Sequence, residues 1–424
     1  MKKPKKNFWE ERSRMSNTPK LRFPEFSGEW EEKKLNSIFT KITQRNSDNQ
    51  NSNVITNSAT EGLVSQRDYF DKDIANKDKT DNYFIIKNGD FVYNPRKSSA
   101  APYGPFTQYK LLDDGIVSPL YLCLRKNNSE VESKYLENYF KTTCWHQYIY
   151  ENGSSGARHD RVSIHDDVLL AMPIKVPSLP EQQKIADFLS NVDSIITTET
   201  KILNTLQKKK KALMQKLFTQ QLRFKSDDGT DFPTWEEKCI DEIAECIAGA
   251  TPDTKKNEYW ENGTIPWMSS GEVNKKYVYE TDRTITQLGY KKCSTKMIPV
   301  NTVVIALAGQ GKTRGTVALT KIELCTNQSL CAIINKSEYN SEYLFHYLSS
   351  QYQELRKISS GGDASRGGLN LKLVGSYRVP LPCIEEQQKI ADCLSSIDSL
   401  IQTQQKVVTT WQQRKKALLQ QMFI

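Results

Sequence analysis

The heptapeptide EQQKIAD occurs at residues 181–187 and again at 386–392, 205 positions further on. Seven specified residues recur by accident about once in 10⁸ to 10⁹ trials at ordinary residue frequencies, so the chain contains a duplication. At that offset residues 181–219 align with 386–424 without a gap, and 22 of the 39 pairs are identical. The same offset matches WEEK at Trp30–Lys33 with WEEK at Trp235–Lys238, and Pro177 with Pro382. LRF recurs as well, at Leu21–Phe23 and Leu222–Phe224. Solenoid arrays repeat every ~20–50 residues, so a period near 200 means two domains. Between the matched ends, residues 45–150 and 250–345 share almost nothing, and Tyr135-Leu136 aligns with Tyr343-Leu344 only after a gap. Like ends around unlike middles predict one scaffold presenting two different reading surfaces.

The matched segments carry a helical period. Apolar residues fall at Ile185, Phe188, Val192, Ile195, Ile202, Leu206, Leu213 and Leu217. Their partners are Ile390, Cys393, Ile397, Leu400, Val407, Trp411, Leu418 and Met422. Spacings of three and four sustained over five heptads predict a coiled-coil seam. Each helix follows a globular segment, so antiparallel pairing is the economical arrangement. The expected interface is Ile185, Val192, Glu199, Leu206 and Leu213 against Ile390, Ile397, Gln404, Trp411 and Leu418. Glu199 and Gln404 form a polar layer near the midpoints of the two helices. Ser178-x-x-Glu181 reads as a capping box for the first helix, whereas the second has Cys383 at that place. Lys208–Lys211 and Arg414–Lys416 are read as cations favouring the C-terminal ends of the helix dipoles; a contact with a partner subunit is the sharper alternative.

Composition excludes several classes. Nine cysteines are scattered without C-x-x-C spacing and four histidines lie apart, which speaks against zinc ligation and for reduced thiols in a cytoplasm. Apolar runs such as Val303–Ala308 fall far short of the roughly 18–20 residues that span a bilayer, and no signal-peptide pattern precedes them. The net charge is +9, but residues 1–14 hold six Lys/Arg against two Glu. Residues 1–17 are therefore expected to be a disordered basic tail, or the stretch before a second start at Met15. The mildly basic remainder permits a nucleic-acid partner without demanding one.

The interiors mix Val/Ile/Tyr/Thr strand signals with Gly/Asn/Asp turns, as in DNYFIIKNGDFVYN and NTVVIALAG, and each is expected to be α+β. Four polar loops carry basic residues: 94–104, 153–161, 309–316 and 360–368. Gly and Ser beside Arg or Lys let backbone approach a phosphate while a guanidinium reaches a base edge. The candidate DNA-contacting residues are Arg96, Lys97, Arg158, Arg161, Lys312, Arg314 and Arg366; each is also readable as a solvated surface charge. Ala306–Thr313, ALAGQGKT, satisfies a relaxed nucleotide-binding pattern, but a phosphate loop must open a helix, and RGTVALT has strand spacing. YNPRK at 93–97 lacks the second proline and the aromatic of a methyltransferase motif. The two WEEK segments contain E-x-K, yet each opens a repeat, which makes them scaffold. No catalytic residue, metal or cofactor is expected.

LRFPEFSGEWEEKKL at the start, PSLPEQQKIADFLSNVDSII…KKKKALMQKLF at the centre and the C-terminal repeat of that helix resemble the specificity subunit of a type I restriction–modification system. The resemblance covers essentially everything after Met15. It implies two tandem target-recognition domains joined by two long helices that form an antiparallel coiled coil with a pseudo-twofold axis. Each domain would read one half of a split double-stranded DNA site. The partners implied are two modification subunits carrying the adenine-N6 methyltransferase, and restriction subunits that cleave DNA using ATP. The chain itself would be non-catalytic and cytoplasmic. The expected boundaries are 18–177 and 222–382 for the recognition domains, with helices at 178–221 and 383–424. The competing readings are a coiled-coil scaffold for two proteins and a bipartite DNA-binding protein outside restriction–modification.

Overall fold

The computed structural model describes residues 18–69, 80–155, 159–309, 311–359 and 368–424. The basic segment 1–17 and two of the loop arginines, Arg158 and Arg366, lie outside the described residues. Two helices dominate, Leu179–Phe218 with 40 residues and Ile384–Met422 with 39. At 1.5 Å per residue each is about 60 Å long. The remaining described residues form mixed helix and strand, as the sequence predicts for two tandem α+β domains.

Tertiary contacts divide the chain into two units that are not linear segments. The first comprises the residues up to Glu199 together with Val407–Ile424; the second is Thr200–Lys406. Each unit thus contains one globular interior, the half of a long helix attached to it, and the far half of the other long helix.

In the first unit an antiparallel sheet takes the order Phe39–Lys41, Leu122–Lys126, Phe91–Tyr93, Phe106–Gln108. Its core is aromatic: Phe106 stacks on Phe140 with centroids 3.8 Å apart, and Phe91, Tyr93 and Trp145 meet them edge-on or tilted. Such ring pairs add about 0.5–1.5 kcal/mol beyond their burial. In the second unit the central strands are aliphatic, and the aromatics Tyr343, Phe345 and Tyr347 come from a helix packed on them. The five-stranded sheet of this unit runs Ala244–Ala248, Leu330–Asn335, Val303–Ala306, Val317–Thr320, Tyr277–Val278, and every residue of the third and fourth strands is buried. Different cores under one scaffold are what the unmatched middles of the sequence require.

The WEEK segments are scaffold. Glu31–Lys34 pairs antiparallel with Pro173–Val176, and Glu236–Cys239 with Arg378–Leu381. In both units this ribbon ties the start of the globular part to the strand that leads into the long helix. Tyr135 and Tyr343, alignable in sequence only with a gap, are equivalent in space: their hydroxyls donate to the carbonyls of Lys175 and Pro380 at 2.7 and 2.6 Å. Those two acceptors are 205 residues apart, on the offset of the repeat.

The buried stripe of each helix is wider than the seam read off the sequence: Ile185, Val192, Leu217, Ile390 and Met422 of that seam are buried, and so are residues one position away from it. Phe188, Ile202 and Leu400 are 36%, 43% and 57% exposed, while Leu189, Leu203, Leu394 and Ile401 are buried. Met214, Val408 and Leu419 are buried too. The cause is that each helix half also lies on its globular core. Leu189 and Leu419 belong to the core of the first unit, and Met214 and Leu394 to that of the second. A helix facing two surfaces buries a wider stripe than a two-helix seam does.

Candidate nucleic-acid interface

The reason for writing EQQ twice is visible in each unit. Glu181 accepts from Nε and Nη2 of Arg22 at 2.7 and 2.8 Å, and Glu386 accepts from the same nitrogens of Arg223 at 3.1 and 2.7 Å. Both carboxylates are buried, and each raises the pKa of its arginine by hydrogen bonding. The next residue, Gln182 or Gln387, donates to the carbonyl of Pro177 or Pro382 at 2.8 Å. Its side-chain oxygen accepts from the backbone N–H of Glu132 or Asn340, each the N-cap of a helix in the globular part. The glutamates therefore anchor the LRF segments, and the capping-box reading of Glu181 gives way to the bidentate arginine. A buried carboxylate takes a charge-assisted fork in preference to an N–H that water can satisfy.

A second duplicated contact corrects the reading of the basic runs. Lys415 pairs with Asp193 in the first unit, and Lys210 with Asp398 in the second. These pairs too are related by the 205-residue offset. The helices run on to Phe218 and Met422, so both lysines stand well before the last turn, where dipole effects are confined. The environments differ. Asp193 is 46% exposed in its side chain, whereas Asp398 is 4% exposed and also accepts from the Tyr277 hydroxyl at 3.1 Å. Burial lowers the Lys210 pKa despite the attraction of Asp398.

Beside Asp398 lies His346, fully buried, with Nε2 on the Ser395 hydroxyl at 3.1 Å. Its Nδ1 has no hydrogen-bond partner and stands 3.9 Å from Asp398, which would suit an imidazolium. Burial holds its pKa well below the usual histidine range, and Lys210 and Lys276 push it down further. Burial and the two lysines thus favour the neutral ring.

The interface residues expected from the sequence fall as follows. Ile185, Val192 and Ile390 are buried; Leu206, Leu213, Ile397, Trp411 and Leu418 are partly buried, as are Glu199 and Gln404. In the first unit Phe188, Val192 and Ile195 line one groove of about 400 Å³ with Trp411, Arg414 and Leu418.

The candidate DNA residues of the first unit come together. Loops 94–104 and 153–161, singled out separately, are joined by a bridge between Arg96 and Arg161. Lys97 N–H donates to Asp160 at 2.8 Å, and Val162 N–H to Pro95 at 2.9 Å. A buried amide pair holds the first loop: Asn94 donates to the Asn57 carbonyl, and Asn57 to the Val92 carbonyl. Gly104 closes the loop at φ +83°, where a Cβ would sit 2.0 Å from the Asn94 carbonyl oxygen, so no other residue fits. Arg96 is exposed, with Asp160 3.7 Å away, while Lys97 and Arg161 are half-buried. Below them opens a cavity of about 590 Å³ whose basic wall is Lys41, Arg45 and Arg161. Lys41 and Arg45 were not singled out from the sequence. They lie some 115–120 residues before Arg161, and only the fold brings them to it.

In the second unit, loop 309–316 connects the antiparallel strands Val303–Ala306 and Val317–Thr320. A strand follows it, as RGTVALT predicts, so it lacks the helix that a phosphate loop opens. Arg356 donates to the Gly311 carbonyl at 2.7 Å and Tyr352 to that of Lys312 at 2.9 Å. Lys312 is exposed and Arg314 half-buried. Beside Gly315 and Thr316 lies a groove of about 650 Å³ with Lys210, Lys211 and Lys276 in its wall. Among the described residues no group of His, Cys, Asp or Glu is placed to hold a metal ion, and no helix is long and apolar enough to cross a membrane.

Comparison with known proteins agrees with this duplication. Residues 27–208 and 233–410 each match the profile of the type I restriction modification DNA specificity domain, Methylase_S. The chain is 37% identical over 196 residues to the type I restriction enzyme MjaIX specificity subunit of Methanocaldococcus jannaschii, covering 45% of this chain and 44% of that one. It is 28% identical over 249 residues to the EcoR124I/EcoR124II specificity subunit of Escherichia coli, covering 57% and 59%. The alignments thus span about half the length of these relatives. In fold it is similar to the S subunit of a type I restriction-modification system from M. genitalium, with a TM-score of 0.56 at 15% identity over 96% of this chain and 99% of that one. A solved chain from a type I R-M system gives a TM-score of 0.58 at 17% identity, covering 92% and 96%.

Proposed function

The chain belongs to the type I restriction-modification DNA specificity family, and we propose that it is the non-catalytic subunit choosing the DNA sequence on which such a complex acts. Each globular interior reads one half of a bipartite double-stranded target. The two long helices pair antiparallel, with Glu199 and Gln404 in their central layer, and set the distance between the half-sites. About one helical turn of DNA, 34–36 Å, places two readers on the same side of the duplex. Modification subunits dock on the helices and supply adenine-N6 methylation; restriction subunits supply ATP-dependent cleavage. The complex works in the cytoplasm.

One observation carries this reading: the same arginine–glutamate, glutamine–proline and lysine–aspartate contacts recur at the matched ends and enclose interiors with unlike sheets and unlike loops. Arg22–Glu181 and Arg223–Glu386 keep the frame constant while the readers diverge. The contacts assigned to DNA are Arg96, Lys97 and Arg161 on the first unit, and Lys312 and Arg314 on the second. Arg158 and Arg366 belong to the same loops by sequence. Methylome sequencing of a host carrying this chain with its partners tests the proposal. The expected result is one methylated motif made of two specified blocks around an unspecified spacer. Filter binding to genomic fragments separates the rival scaffold reading, because a protein scaffold retains no sequence selectively.

A further inference from the structure

The cavity of the first unit has more in it than a basic patch needs. Its wall contains Phe84 and Tyr121, both half-buried, and its floor includes Tyr93 and Leu122. The Arg45 guanidinium lies over the Phe84 ring at 5.3 Å and is steadied by a 2.9 Å hydrogen bond to the Asn82 side chain. A planar cation held on an aromatic face is a stacking platform for a base. The volume, about 590 Å³, lies in the range of clefts that take small molecules. Of the charges in the wall, Lys41 is paired with Asp166. Arg45 and Arg161 are left to meet a phosphate.

On the rim stands Leu120, an apolar side chain. It is 56% exposed and lines the same cavity. It sits in a tight turn over Ser118–Tyr121, closed by Tyr121 N–H to the Ser118 carbonyl at 3.0 Å and stiffened by Pro119. Pro95, from the loop assigned to DNA, and Arg161 line the same cavity as Leu120. A rigid apolar projection next to an aromatic, cationic cleft is the pair of features that base extrusion requires. One fills the gap in the stack, and the other receives what has left it.

We propose that the first unit turns one base of its half-site out of the duplex into this cavity, with Leu120 occupying the vacated place. The inference rests on the reading that this unit binds DNA. It makes part of the sequence choice an energetic one, since a base that unstacks readily is preferred there.

The test uses the full chain without modification subunits and a duplex bearing the complete target. A single mismatch is placed in turn at each position, and retention on nitrocellulose is measured. Extrusion predicts that a mismatch at one position tightens retention by about tenfold, because the unpaired base costs less to remove, while mismatches elsewhere weaken it. 2-Aminopurine next to that position should brighten severalfold on binding, and Leu120→Ala should abolish the rise. Mismatches that weaken retention throughout, or a rise that survives Leu120→Ala, overturn extrusion and leave DNA reading intact. Retention without any sequence preference would instead bring down the reading on which the inference rests.

Discussion

At the residue scale, Glu181 and Glu386 are legible as repeated, but their task is not. Nothing local says that a carboxylate near a helix start is reserved for an arginine 159 or 163 residues earlier. His346 is less legible still: a lone histidine in an apolar helix gives no hint of the aspartate beside it. Its burial has a consequence for acid stability. The folded-state pKa lies well below the unfolded value of about 6.5. As pH falls through 6.5 the unfolded chain takes up the proton first, so stability present above that pH is lost below it, until the folded pKa is reached. One such group contributes a loss of about 1 kcal/mol between pH 6.5 and 5.5. Asn138, on the first unit's helix Ser133–Tyr139, corresponds to His346 when Tyr135 is aligned with Tyr343. Urea unfolding of a His346→Asn variant should therefore show a shallower fall than the parent over that window.

At the element scale, the two long helices are the part the sequence specified best. Their lengths and the presence of an apolar stripe follow from the repeat and its periodicity. The face is misread by one position at Phe188, Ile202 and Leu400, because periodicity describes a helix against one neighbour and these helices have two. The lysine runs show the same limit. Composition places cations near a helix end, whereas the structure gives Lys210 and Lys415 specific carboxylates. The two pairs should differ in worth. Lys210→Met leaves the buried Asp398 with only neutral donors and should cost about 3 kcal/mol. Lys415→Met, opposite a half-exposed Asp193, should cost at most about 1 kcal/mol. Chemical denaturation of the two variants measures the difference, and equal costs would refute the asymmetry.

At the scale of the molecule, the division into units makes each globular part depend on distant chain. Phe423, 3% exposed, packs on Tyr135 and Tyr139 of the first unit with centroids 5.2 and 6.3 Å away. Phe218 does the same for Tyr343 and Tyr347 in the second. Phe423→Ala should therefore destabilise the first unit by about 3–5 kcal/mol, although most of that core lies far earlier in the chain, between Trp30 and Leu189. Hydrogen exchange at Phe91–Tyr93 would report the loss, with the strand Val303–Ala306 as the unaffected reference. The same division shapes an exchange of interiors. Replacing residues 30–175 with those of a relative should change one half-site of the methylated motif and keep the other. That outcome requires the incoming domain to bring aromatics that accept Phe423.

By itself the sequence determined the duplication, the two α+β domains, the long helices and the scaffold role of the WEEK ribbons. Each of these is written in residue identity at a fixed offset, in a period that repeats along a few turns of chain, or in the strand and turn residue types of the interiors. Loops 94–104 and 153–161 were recognisable as candidates from their glycines and arginines, but not as neighbours. Only the tertiary structure decided that they join, that Lys41, Arg45, Phe84 and Leu120 share their cavity, and that His346 meets Asp398. Those associations come from strand pairing and core packing between residues tens to hundreds of positions apart. The free energy that selects them belongs to contacts which no local pattern encodes.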